Sequence, residues 1–195
     1  MPCTEYSPAA RAQLLAIARD ALDHAVSTGA PLEVDTRGLP GWLTALRSCF
    51  VTLQRHGDLR GCTGSLEPSR PLATEVAAMT CQSALADPRF LPVRRHELET
   101  VLIELSVLSP LRPFPVRDEA DLLEQLRPGH DGLVLQAGAY QATFLPKVWE
   151  SLPTPRRFVG ELKRKAGLPT DFWHEGVLLF RYHTETFSES AKAPA

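Results

Sequence analysis

Apolar residues recur at helical spacing from the start of the chain. Leu14, Leu15, Ala18, Ala21, Leu22, Ala25 and Val26 fall on one helix face. Ser7-Pro8 reads as the N-cap and first helical position, because proline loses nothing where the N–H is unpaired anyway. Gly29 and Pro31 end that helix. After a connector broken by Gly38, Pro40 and Gly41, Cys49 to Leu53 reads as a strand, since Phe50, Val51 and Thr52 favour extended backbone. Arg55 to Asp58 is a turn, and Leu59 to Thr63 returns as the second arm of a hairpin. Leu72 to Leu85 is a second helix, with Leu72, Val76, Met79 and Ala84 among its apolar positions, ending at Asp87-Pro88. Residues 100–108 alternate: Val101, Ile103, Leu105 and Val107 point one way, and Leu102, Glu104, Ser106 and Leu108 the other.

Asp118 is placed to cap a short helix through Leu122, Leu123 and Leu126, ended by Pro128-Gly129. Leu133 to Gln136 and Gln141 to Leu145 form a hairpin around Gly138. Thr154-Pro155 opens a helix that buries Phe158, Val159 and Leu162, with Gly167 and Pro169 stopping it. Val177 to Tyr182 reads as the last strand, and Ser188 to Ala195 as a frayed tail. Hairpins join most strands and helices fall between groups of them. The fold class is therefore α+β, a mixed, largely antiparallel sheet with packed helices. Regular βαβ alternation is absent, which argues against a dinucleotide-binding fold.

Composition narrows the function classes. At 195 residues, one domain with two lobes is the first expectation. The net charge of −2 carries no basic nucleic-acid footprint. No apolar stretch approaches a membrane span, and no charged stretch leads into an apolar run at the N-terminus. The expected location is the cytoplasm, with reduced thiols. Cys3, Cys49, Cys62 and Cys81 form no C-x-x-C pair, so no metal site is expected.

The candidate chemistry sits in Leu59-Arg60-Gly61-Cys62-Thr63-Gly64. If this stretch is extended, Arg60 and Cys62 share a face, and a guanidinium beside a thiol favours the thiolate. Gly61 and Gly64 allow a ligand or another backbone to approach, while Thr63 and Ser65 add hydroxyls. Cys62 is the candidate nucleophile. The competing reading makes Cys62 a small buried hydrophobe, since no histidine lies in the motif to act as base. Candidate bases His56, His130, His174 and His183 would have to be brought in by folding. Glu104 is a carboxylate in an apolar strand, for which Arg60 or Arg89 would be partner; alternatively it lies on a wet sheet face. Asp87 and Arg89 flank a helix exit and pair or cap there. Lys163, Arg164 and Lys165 look like a phosphate patch or, more simply, a solvated helix end.

Taken in order, Phe50 to Leu53, Leu59 to Gly64, Asp87-Pro88-Arg89-Phe90, Glu104 to Ser109, Thr143 to Trp149, Lys165 to Leu168 and Trp173 resemble the AMMECR domain family. The resemblance runs from about the first helix to Phe187. It implies a single such domain over 1–187, two lobes with a cleft, and a signature at the Arg-Gly-Cys segment. Thr63 stands where the family usually shows Ile, and Ser65 where it shows Thr. The resemblance further implies a component of a system with a Memo-like protein and a radical S-adenosylmethionine protein. On that basis Cys62, Arg60 and Glu104 are candidate catalytic residues, and Gly61, Thr63, Gly64, Ser65, Asp87 and Arg89 candidate ligand contacts. The resemblance names no reaction and no cofactor. An adaptor that docks on those two proteins is the alternative.

Overall fold

A computed structural model describes residues 6–190. The chain divides into two compact units, one built from the residues up to Leu108 together with those from Glu185, the other from Ser109–Thr184.

In the first unit, α1 (Pro8–Thr28) starts where Ser7 accepts a hydrogen bond from the Ala10 N–H and stops at Gly29, whose φ of 76° is left-handed. The short α2 (Gly41–Thr44) leads to strand β1 (Cys49–Arg55). β1 pairs antiparallel with β2 (Asp58–Gly64) through His56-Gly57, both at positive φ. Two such residues give the hairpin a twist matching its strands. α3 (Leu72–Leu85) follows, then a 3-10 turn at Arg95–Glu97 and β3 (Val101–Leu108). The last strand of this unit, β8 (Thr184–Ser188), completes a sheet in the order β2-β1-β3-β8.

Period-two alternation sorts the sheet. Cys49, Val51, Leu53, Val101, Ile103, Leu105 and Val107 are buried in one core with Leu14, Leu22, Leu72, Val76 and Met79 from the helices. Each large aliphatic side chain buried this way contributes roughly 1.5–3 kcal/mol. Phe50, Thr52, Gln54, Leu102, Glu104 and Ser106 alternate onto the other face and are partly buried.

The second unit holds β4 (Arg112–Pro113), α4 (Glu119–Gln125), β5 (Gly132–Ala137), β6 (Tyr140–Phe144), a 3-10 turn at Pro146–Glu150, α5 (Pro155–Lys165) and β7 (Leu178–Tyr182). Its sheet order is β4-β7-β5-β6. Asp118 caps α4 by accepting from the Asp121 N–H at 2.8 Å. Trp149 stacks on Phe158 at 3.8 Å within a separate core.

Three expectations need correction. Val177 to Tyr182 is not the last strand, because β8 follows it. The segment was illegible because Phe187 is its one large apolar residue, so no alternation marks it. It is held by hydrogen bonding to β3, by Phe187 in the core, and by ion pairs that flank it, Arg11 with Glu185 and Arg19 with Glu189. The tail does not begin at 188: Ser188 ends β8, and the Glu189 N–H donates to the Ile103 carbonyl at 3.0 Å. Residues 191–195 of that expected tail lie outside the described residues, as does Cys3. Finally, Lys163 belongs neither to a phosphate patch nor to a solvated helix end. Its ammonium is buried on Glu119 at 2.8 Å and the Thr170 carbonyl at 3.1 Å.

Candidate functional site

The Leu59–Gly64 motif forms most of β2, an edge strand of the first sheet. Its residues go to three different places. Gly61 and Thr63 face α3. A Cβ added at Gly61 would overlap the Ser83 carbonyl oxygen, so here glycine admits another backbone. The Thr63 N–H donates to Ser83 Oγ at 2.9 Å, and Ser83 Oγ in turn donates to the Val51 carbonyl at 2.8 Å. A helix hydroxyl is thereby wedged into the β1–β2 pair. Thr63 Oγ1 donates to the Met79 carbonyl at 3.1 Å. A Cβ at Gly64 would collide with the Phe50 ring.

Arg60 sits where the β1–β2 register shifts. Leu53 pairs with Gly61 and Gln54 with Leu59, which leaves Arg60 as the extra residue of a bulge. Its guanidinium donates from Nε to Glu97 Oε1 at 2.9 Å, from Nη2 to Glu97 Oε2 at 3.0 Å, and from Nη1 to the Leu91 carbonyl at 2.9 Å. The expected Arg60–Glu104 pair is therefore absent: the bulge re-aims Arg60 at Glu97, which is buried. Arg60 chiefly holds the Glu97 carboxyl down to about 2, with the Arg94 N–H and Arg55 helping, against burial.

The guanidinium at the thiol belongs to Arg89. Asp87, also buried, accepts from the Cys62 N–H at 2.8 Å and from Arg89 Nε at 2.9 Å and Nη2 at 2.7 Å. Arg89 Nη2 also donates to the Cys62 carbonyl at 3.1 Å. Two side chains thus occupy the outward N–H and C=O of an edge strand and stand in for a neighbouring strand. The Arg89 hydrogen bonds hold Asp87 well below the ordinary carboxylate range. Arg89 is itself raised, chiefly by Asp87, with a smaller contribution from Cys62.

Cys62 points to the face turned away from α1 and α3. It pairs with Thr52 on β1, and Thr52 pairs with Glu104 on β3, so thiol, hydroxyl and carboxylate form one row across three strands. Thr52 Oγ1 donates to Cys62 Sγ at 3.4 Å. Cys49, on the other face, is fully buried, and burial pushes its thiol well up, with the nearby Glu75 adding to the shift. Cys81 is also raised by burial. Ser65 lies beyond the strand, donating to Glu75 Oε1 at 2.9 Å and the Glu67 carbonyl at 3.2 Å.

Among the sequence-stated candidates, folding brings together Cys62, Asp87 and Arg89, with Glu104 in the same row as the thiol. It sends Arg60, Gly61, Thr63, Gly64 and Ser65 to packing partners. Glu97, Ser83 and Thr52 were missed. Glu97 lies in a polar run without periodicity, but Thr52 was findable, since hairpin register places it opposite Cys62. No group of three or more His, Cys, Asp and Glu side chains suited to a metal occurs among the described residues. No helix of the described residues is long and apolar enough to cross a membrane.

The family model described as AMMECR1 matches residues 15–187. The Methanocaldococcus jannaschii protein MJ0810 is 36% identical over 151 residues, covering 73% of each chain. A Methanothermobacter thermautotrophicus protein is 34% identical over 194 residues, covering 95% of this chain and 98% of its own. The crystal structure of the uncharacterised Pyrococcus horikoshii protein PH0010 superposes with a TM-score of 0.82 at 31% identity, over 92% of this chain and 91% of that one.

Proposed function

This chain belongs to the AMMECR1 family, and from that premise we propose that it handles a small-molecule ligand at Cys62, as one component of a system with a Memo-like protein and a radical S-adenosylmethionine protein. One observation carries the ligand reading. The motif's glycines and Thr63 are consumed by packing and Arg60 by Glu97, whereas the Cys62 thiol stands on the sheet's outer face in a row with Thr52 and Glu104. The Asp87–Arg89 clamp fixes the backbone of Cys62 from the strand edge, so the sulfur is held by rigid elements rather than by a loop. In this reading Cys62 contacts the ligand, and Arg89 holds the Cys62 carbonyl from the strand edge. Thr52 orients the sulfur, and Glu104 supplies a carboxylate two strands away. The two partners rest on the family resemblance.

The adaptor reading has its own support. Leu91 is 74% exposed and Leu59 43% exposed, and the Leu91 carbonyl is bound by Arg60, next to Leu59 in sequence. Large exposed apolar side chains are what a docking surface needs. The two readings separate in one experiment. The chain is co-purified with the Memo-like and radical proteins of its source organism, and bound small molecules are identified by mass spectrometry. The ligand reading expects a molecule that Cys62→Ala loses while the partners stay bound. No ligand, together with loss of partners in Leu91→Asp, would replace it with the adaptor reading.

A further inference from the structure

The second unit carries an unusual charge arrangement that the Cys62 site does not use. Asp131 is fully buried, directly before β5. It accepts from the Arg127 N–H at 2.9 Å and from Arg127 Nη2 at 3.0 Å. Arg181 Nη1 stands 3.7 Å from Asp131 Oδ2, and His183 Nδ1 lies 3.6 Å from Oδ1. Three side chains able to carry positive charge converge on one carboxylate. Two arginines against one aspartate leave one positive charge uncancelled. On β4, Arg112 lies directly opposite Arg181, a like-charge cross-strand pair that is unfavourable without a counter-anion. The chain as a whole carries −2, so this excess is local.

The excess is also presented to solvent. The side chains of Arg127 and His183 are about half exposed, and that of Arg181 is one-third exposed. Arg181 is braced with its guanidinium over the Phe114 ring, 4.4 Å from the centroid. The His183 backbone is pinned by Ser109, whose Oγ accepts its N–H at 3.0 Å. His183 Nδ1 lies 3.1 Å from the His130 carbonyl, which can only accept, so Nδ1 carries the proton. Nε2 faces Arg127 Nη2 at 3.3 Å.

We propose that Arg127, Arg181 and His183 form an oxyanion site that takes the phosphoryl group of a small molecule. Guanidinium forks match phosphate oxygens geometrically, and Asp131 holds one of the forks in place. A phosphoryl group is favoured over a carboxylate because its oxygens can meet both guanidinium forks and the uncancelled positive charge at once. Arg127, Arg181 and Asp131 are the charged groups the structure places around the imidazole, with Arg112 across from Arg181.

The test uses the whole chain and inorganic phosphate as probe, followed by histidine side-chain NMR. The expected result is a saturable shift of the His183 imidazole signals, with those of His24 and His174 unmoved. Calorimetry should register the binding, and Arg181→Gln should weaken it by about tenfold or more. His183→Asn should weaken it as well. It would be overturned by a His183 signal that does not saturate, by equal affinity in Arg181→Gln, or by acetate binding as tightly as phosphate. The Arg181 and His183 side chains are partly exposed, and unchanged far-UV spectra and melting of both variants would separate loss of binding from loss of fold.

Discussion

The two faces of β2 treat neighbouring residues in opposite ways. Towards α3, Gly61 lies against the Ser83 carbonyl and Thr63 is held by Ser83 and Met79. On the other face, Cys62 meets the hydroxyl of Thr52. Cys49 and Cys62 repeat the contrast in thiol chemistry, one sealed in the core and one on the outer face. A six-residue motif is thus not a six-residue site. Strand periodicity divides it into a packing half and a half that reaches outward. The bulge at Arg60 adds a third direction, towards Glu97.

The inner face should be the more fragile. Gly61→Ala puts a methyl group into the Ser83 backbone, and we expect a loss of about 3 kcal/mol or more, at the upper end of overpacking costs. Denaturant unfolding measures it, and a loss under about 1 kcal/mol would show that α3 moves aside without cost. Next comes the bulge. Glu97→Ala strands the Arg60 guanidinium, and breaking such a pair costs about 3 kcal/mol. Arg60→Ala and Glu104→Gln should add within about 0.5 kcal/mol, because Arg60 is engaged by Glu97 and not by Glu104. Clear coupling in that cycle would return Arg60 to the Cys62 side.

A smaller effect is expected from acid. Arg60 lowers Glu97 to about 2, and Arg89 lowers Asp87. Both folded-state values lie below the unfolded ones. The stabilisation is therefore full above the ordinary carboxylate range and is lost as pH falls towards about 2. Melting temperature followed from neutral to acid pH should decline over that window, and Glu97→Gln should flatten part of the decline. An unchanged profile in Glu97→Gln would mean that Arg60 does not hold the carboxylate in solution. The smallest effect on stability belongs to the outer face: Cys62→Ala should cost under about 1 kcal/mol, as expected of a partly exposed position without a core role. The same residue should give the largest chemical contrast, with iodoacetamide labelling Cys62 in the native protein well before Cys49 and Cys81. Equal labelling of Cys49 would break the division between the faces.

Hydrophobic period carried much of the fold in the sequence. The helices of Pro8–Thr28 and Pro155–Lys165 and the strand Val101–Leu108 were legible because each buries one regular face, whereas Leu72–Leu85, buried on most sides, was legible as a largely apolar stretch between Pro71 and Pro88. Their caps and stops at Ser7, Gly29, Asp118 and Gly167 follow from local backbone chemistry. The ordered motifs were enough to point to the family. β8 was hidden because sheet pairing to β3, ion pairs and the lone Phe187 hold it, with no apolar alternation to mark it.

The sequence by itself determined that Cys62 lies in an extended, glycine-flanked segment ahead of a helix, and that Asp87-Pro88-Arg89 ends that helix. Only the tertiary structure decided which guanidinium meets which group. A one-residue bulge turns Arg60 towards Glu97, and the chain reversal after α3 lays Asp87 and Arg89 along the edge of β2. The physical reason is that spacing reports side-chain direction only while a strand stays regular. The Arg60–Glu97, Arg11–Glu185 and Arg19–Glu189 pairs join residues far apart in the chain, so their partners are chosen by packing that no local pattern encodes.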